Sequence, residues 1–296
     1  MLGETFPHSN NQLKKLGKAL KYDSPHDVQL YQEWMTWNAE LLATVWLELD
    51  DCLESFVDSE PPPPFEAFPP LTKDSFELSG RVKTEDTTRE KLRRNTTSLN
   101  GIQDIVGLRI DAPMRLSQQS RLADHIAGTL QAKGASVAQR DLRDGSHCGY
   151  RAVHLHATFP AGRTEIQLRT TYQSTWANLY EVLGDVVGRE IRYKQEFSPE
   201  VERAHGPIVR KFWRASEALH KSDTEWNDWV SSCEELMLDL HKVPEPYPDD
   251  LQAEIDKIKE RLTTAHESRE EARQRLSRLA DTVRRLPPAN RQEGVV

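Results

Sequence analysis

The chain has 296 residues, 39 Lys and Arg against 47 Asp and Glu, and a formal net charge of −8. At roughly 150 residues per domain this length allows one or two domains, and 37% hydrophobic with 29% charged residues fits an ordinary core accompanied by long solvated helices. The acidic balance excludes a protein that coats nucleic acid through bulk charge, and no apolar run approaches the roughly 18 residues of a membrane span. Cys52, Cys148 and Cys233 are far apart and lack CxxC or paired Cys/His spacing, so neither a structural zinc site nor a disulfide framework is expected. A soluble, cytoplasmic protein is the expectation.

In chain order, residues 1–60 read as helical. Lys14, Lys15, Lys18 and Lys21 surround Leu13, Leu16 and Leu20, and then Leu30, Trp34, Trp37, Leu41, Val45, Leu49 and Phe56 recur at helical spacing. Prolines 61–64, 69 and 70 mark a semi-rigid linker over 61–78. Residues 79–194 then alternate. Ile102–Ile110 runs from the edge of a helix into a strand, Leu116–Ala132 is helical and Ala135–Leu142 is a strand. Tyr150–Phe159 and Thr164–Arg169 alternate as strands, and Thr170–Val187 is helical again. This predicts an α/β (α+β) core with helical extensions at both ends.

Residues 195–243 are a helical extension, followed by prolines 244, 246 and 248. Over 249–286, Leu251, Ile255, Ile258, Leu262, Ala265, Ala272, Leu276, Leu279, Val283 and Leu286 keep a 4-3 spacing broken at Arg269, with Asp249 and Gln252 set as a capping box and Pro287-Pro288 as a stop. Such a helix would span roughly 54 Å. It needs a partner, either a second chain (a homo-oligomer or a neutralising protein) or the protein's own body.

Four segments can carry chemistry. From Arg81 to Arg94 six basic residues (Arg81, Lys83, Arg89, Lys91, Arg93, Arg94) face three acidic ones, a local balance of +3. Lys91 and Arg94 share a helix face, and such a cluster suits a polyphosphate, although alone it also reads as a solvated face. Asp104, at the lip of an apolar strand leading to Arg109, is placed either to hold Mg²⁺ or to cap a turn. Period two puts Glu165, Gln167 and Arg169 on one strand face, and Tyr150, His154 and His156 on another. Each is an active-site floor or a wet sheet surface.

In this order the segments SGRVK, the following Lys91 and Arg94, DIVGLRI, GYRAVHLH, and EIQLRT followed by Trp176-Ala177 resemble the RelA/SpoT synthetase family, over about Ser79 to Tyr193. The resemblance implies a nucleotidyltransferase-like mixed five-strand sheet flanked by helices. It also implies a pyrophosphokinase that moves the β,γ-diphosphate of ATP onto a ribose 3′-hydroxyl. By family motif, Arg81, Lys83, Lys91 and Arg94 would hold ATP, with Arg109 beside them. Asp104 and Glu165 would carry Mg²⁺, with Glu165 also the base. Tyr150 would stack on the acceptor base, and His154, Gln167 and Arg169 would line the acceptor site.

Two departures bear on the acceptor. Ser146-His147-Cys148 replaces the Lys-Pro-Asn-like lead of guanosine-specific members, and Asn178-Leu179-Tyr180-Glu181 replaces the usual Glu-His after Trp-Ala. The hydrolase half of the family needs a His-Asp metal centre with further His ligands, for which only His26-Asp27 is present, and 102 residues follow the matched core. The expectation is a small, single-activity synthetase.

The acceptor is then GDP or GTP, giving guanosine tetra- or pentaphosphate, or the 3′-terminal adenosine of tRNA, as in toxin relatives that block translation. Lys14, Lys15, Lys18 and Lys21 would suit a tRNA backbone, or be simply solvated. The guanine nucleotide is preferred. A non-catalytic nucleotide-sensing regulator is the third reading, against which stands the presence of both Asp104 and Glu165.

Overall fold

The computed structural model describes residues 1–61, 70–94, 97–193, 199–240 and 248–286. Pro62, Pro63, Pro64 and Pro69 of the first expected linker, Pro244 and Pro246 of the second, and the Pro287-Pro288 stop lie outside these residues.

Helix α1 (Asn10–Lys21) starts where Ser9 and Gln12 close a capping box, and α2 (Val28–Ser59) where the Asp27 carboxylate accepts the Leu30 N–H at 3.0 Å. The expected stripe of α2 is buried from Leu30 to Phe56. Trp37 stands at its margin and donates its indole N–H to the Ala161 carbonyl at 2.7 Å.

Five strands, β1 (Glu77–Val82), β2 (Val106–Ala112), β3 (Ser136–Asp141), β4 (Val153–Phe159) and β5 (Gly162–Thr170), form one sheet in the order β1-β2-β5-β4-β3. β2 and β5 are parallel and the other three pairings antiparallel, so the sheet is mixed, as expected. Helices α3 (Glu85–Arg94), α4 (Leu116–Ala132) and α5 (Thr171–Val187) flank it.

Period-two alternation divides the sheet. Val106, Leu108, Ile110, Val153, Leu155, Ile166 and Leu168 are fully buried in a core shared with α2 and α4, each side chain contributing about 1.5–3 kcal/mol by burial. Gly80 permits the close crossing of α2 over β1, since a Cβ there would sit 2.9 Å from Leu42 and 3.3 Å from Trp46. Arg109, Asp111, Glu165, Gln167, Arg169, His154 and His156 take the opposite face.

Two strands begin later than their composition suggests. Ile102 follows a 3₁₀ turn at Leu99–Gly101, and β2 starts only at Val106. β4 starts at Val153 rather than Tyr150, because the Tyr150 N–H turns back to the His147 carbonyl at 3.0 Å and closes a turn in which Cys148 and Gly149 hold φ of 55° and 82°. That turn is packed shut: a Cβ on Gly149 would lie 3.2 Å from Trp176 and 3.3 Å from Ser216.

Helices α6 (Pro199–Leu240) and α7 (Asp249–Arg284) pack on one another and on α5. Ile258 and Ala265 of α7 are buried with Trp229, Val230, Cys233 and Leu236 of α6, and Ala272, Leu276, Leu279 and Val283 with the apolar faces of α5 and α6. The long stripe is therefore filled by the protein's own body. Arg269, where the repeat breaks, lies 4.6 Å over the Trp226 ring and 5.1 Å over that of Tyr172. The capping box expected at Asp249 and Gln252 is not formed. Pro248 is the cap residue, and Asp249 and Asp250 occupy the first turn, where carboxylates meet the positive end of the helix dipole.

Candidate active site

The polar face of the sheet is organised in rows by strand register. One row reads Ser79, Arg109, Gln167, His154; the next reads Arg81, Gly107, Glu165, His156; a third sets Asp111 beside Arg169. Gly107 leaves a gap in the middle row, and a cavity of about 200 Å³ opens there, lined among others by Arg81, Lys83, Asp104, Arg109, Glu165 and Gln167. Six residues singled out in the sequence thus meet in one place, drawn from β1, β2, β5 and the loops beside them.

Asp104 gathers the lysines on one side of the cavity. Its Oδ2 lies 3.0 Å from the Lys83 ammonium and its Oδ1 2.7 Å from that of Lys91, so α3 delivers Lys91 to the cavity edge. Arg94, one turn on, lies with its guanidinium 4.0 Å over the Tyr193 ring. Two other cations of the +3 stretch do different work. Arg89 donates to the Leu20 carbonyl at 3.2 Å and to Asp23 at 2.8 Å, and Arg93 donates to the Lys21 carbonyl and to Asp23. They pin α1 to α3. Lys14, Lys15 and Lys18 are exposed on α1, and Lys21 is half-buried.

Glu165 forms the opposite side. Its Oε1 lies 3.5 Å from Nδ1 of His154 and 3.2 Å from Nε2 of His156, and its Oε2 accepts from Nε2 of Gln167 at 2.8 Å. Burial opposes its ionisation, but the two imidazoles and the amide more than offset that and hold the carboxyl well below the ordinary carboxylate range. Tyr150 joins the same network, its hydroxyl 2.9 Å from Nε2 of His154 and donating to Oε1 of Gln167 at 3.3 Å. Burial pushes the Tyr150 phenol above its ordinary range, so it stays a neutral donor.

Arg169 is not brought to the cavity. It is 2% exposed and donates through Nε and Nη2 to the two oxygens of Asp111, both at 2.8 Å, and Ser174 of α5 donates to the same carboxylate at 2.6 Å. Burial disfavours its charge, and Asp111 more than restores it. Arg109 also reaches α5, with Glu181 3.3 Å from its guanidinium. Asp111, Ser174 and Glu181 carry these contacts and were not among the expected site residues. His156, which meets Glu165, lies on the face already read from the alternation of Tyr150, His154 and His156.

Three cations, Arg81, Lys83 and Arg109, and two carboxylates, Asp104 and Glu165, thus line one cavity of a mixed sheet. Residues 80–198 match the family model described as the region found in RelA / SpoT proteins. Uncharacterized proteins of Mycobacterium tuberculosis and Mycobacterium bovis are each 44% identical over 194 residues, 64% of this chain and 63% of the relative. The match thus spans less than two thirds of those relatives' length. The fold is similar to the small alarmone synthetase 1 from Bacillus subtilis, at a TM-score of 0.51 and 21% identity over 70% of this chain and 99% of that one. A second structure of that enzyme, bound to its product pppGpp, aligns at a TM-score of 0.49 with 21% identity over 70% and 97% of the two chains.

Proposed function

We propose that the chain is an ATP-dependent pyrophosphokinase that transfers the β,γ-diphosphate of ATP to the 3′-hydroxyl of GDP or GTP. The observation that carries this reading is an ionised carboxylate, Glu165, facing Arg81, Lys83, Asp104 and Arg109 across one cavity. The acceptor oxygen bonds to the β-phosphorus, the bond from that phosphorus to the α,β-bridging oxygen breaks, and AMP leaves. Arg81, Lys83, Lys91 and Arg109 stabilise the charge that gathers on the phosphate oxygens. Arg94 joins them on leaving Tyr193. Glu165 accepts the hydrogen bond of the 3′-hydroxyl and takes its proton as the oxygen–phosphorus bond forms. The neighbours that keep it ionised also lower its basicity, so orienting the hydroxyl is its first task. Tyr150 offers a ring to the acceptor base, with His154 and Gln167 beside it, and Arg169 supports the floor through Asp111.

Two carboxylates on one cavity are a donor set that suits Mg²⁺, a cation usually held by one or two carboxylates plus substrate phosphates. Asp104 and Glu165 would hold it. When bound, the ion neutralises phosphate charge, and the phosphates would draw Lys83 and Lys91 away from Asp104.

The exposure of Lys14, Lys15 and Lys18 on a helix that packs against α3 favours a second acceptor, the 3′ end of tRNA. Incubation with ATP labelled in its terminal phosphate, together with GDP, GTP or deacylated tRNA, separates the readings. Label in the guanine nucleotide with AMP released is expected. Label in tRNA alone would overturn the acceptor, and no transfer to any of the three would overturn the activity and leave a nucleotide-sensing regulator. Charge reversal at Lys14, Lys15 and Lys18 should leave a guanine nucleotide reaction unchanged and weaken a tRNA reaction most at low salt.

A further inference from the structure

Hydrogen-bond direction around Glu165 can be followed atom by atom. Gln167 must present its NH₂ to the Glu165 carboxylate, 2.8 Å away, because its oxygen there would face a like charge. Its Oε1 is thereby turned to Tyr150 and accepts the phenolic proton at 3.3 Å. The Tyr150 oxygen, having given its one proton, can only accept from Nε2–H of His154 at 2.9 Å. In the neutral imidazole this leaves Nδ1 as a bare lone pair, 3.5 Å from Oε1 of Glu165. Nε2 of His156 is buried, has no hydrogen-bond partner among the described residues, and lies 3.2 Å from the same oxygen. Lone pairs converging on a carboxylate oxygen repel unless a positive charge lies among them, either a further proton on a ring or a metal ion.

The spacing suits the second. Ligand atoms of the three side chains lie within 4.8 Å of one another. A tetrahedral ion with bonds of about 2.05 Å sets its ligands about 3.3 Å apart, close to the 3.2 and 3.5 Å separations at Glu165. Two imidazoles and one carboxylate are the donors of borderline first-row dications, not of Mg²⁺. The Tyr150–His154 hydrogen bond is the outer contact that fixes a ligating ring.

We propose that Nδ1 of His154, Nε2 of His156 and a carboxylate oxygen of Glu165 form a binding site for a transition-metal dication of the zinc class. The site shares Glu165 with the magnesium site proposed above and does not use Asp104. Its occupancy is independent of the pyrophosphokinase reading, since it is measured without nucleotide.

Calorimetric titration of Zn²⁺ into the full chain, freed of metal by chelation, should show one site per chain. Co²⁺ in its place should give the intense visible bands of a tetrahedral ion. His156→Gln should weaken Zn²⁺ binding more than 10-fold, and Tyr150→Phe, which removes the hydroxyl that holds His154 and Gln167 and leaves all three ligands, about 10-fold, with both variants checked for an unchanged circular dichroism spectrum. Should His156→Gln not fold, the native Co²⁺ spectrum and Tyr150→Phe decide. Absence of a stoichiometric site, or binding that none of the folded variants alters by as much as 2-fold, would overturn the proposal.

Discussion

The polar face of the sheet and the block formed by α5, α6 and α7 each bury a carboxylate, and they treat it in opposite ways. On the sheet, Glu165 has two imidazole nitrogens and an amide within 3.5 Å and is held ionised. In the helical block Asp223 has the Thr170 hydroxyl at 2.9 Å and the Arg269 guanidinium only at 4.0 Å, and burial pushes it up to about 6. Burial is common to both; the number and closeness of polar partners decides the charge. A carboxylate with three nitrogens close by is available for chemistry at neutral pH, whereas one with a single near hydroxyl carries a cost there.

That contrast can be broken at its strong end first. Glu165→Gln keeps shape and removes charge, and should lower kcat for diphosphate transfer by about 10³-fold, read as the rate of AMP release. Asp111→Ala leaves Arg169 buried without its partner and should cost about 3–5 kcal/mol in denaturant unfolding.

At the weak end, Asp223 binds its proton more tightly folded than unfolded. The stability this gives is complete below its ordinary value of 3.8 and lost as pH rises through about 6. Asp223→Asn should therefore raise stability at neutral pH by up to about 3 kcal/mol and flatten that decline in a series of melting curves. Glu165 runs the other way, its contribution present above the ordinary carboxylate range and lost on acidification. Thr170→Val should have the smallest effect, about 1–2 kcal/mol, and the loss should be larger above pH 6, where the lost hydroxyl faced a charged acceptor. A loss independent of pH would mean that Thr170 acts only as the cap of α5.

Much of the fold was legible because period and chemistry agree. The alternation Ile166, Leu168 against Glu165, Gln167 places β5 and its two faces, and the Leu30 to Phe56 stripe places α2. What alternation cannot state is register, and register makes the site. Arg169 shares a face with Glu165 and was expected beside the acceptor, but β2 slides Asp111 opposite it and binds it there. The same blindness applied to charge. The +3 stretch counts six cations, and two of them, Arg89 and Arg93, are engaged by Asp23, some 66 to 70 residues earlier. Tyr150 shows the limit of pattern in another way, because the left-handed turn at Cys148 and Gly149 draws its N–H back to His147 although the stretch from Tyr150 still reads as strand.

Thr170 is the last residue of β5 and the cap residue of α5, accepting the Gln173 N–H while donating to Asp223 of α6. Asp223 in turn faces Arg269 of α7. One hydroxyl thus joins the strand that carries Glu165 to a pair of helices outside the matched family region. The C-terminal helix pair stands as a buttress behind the end of β5, joined to it through this hydroxyl and the carboxylate it meets.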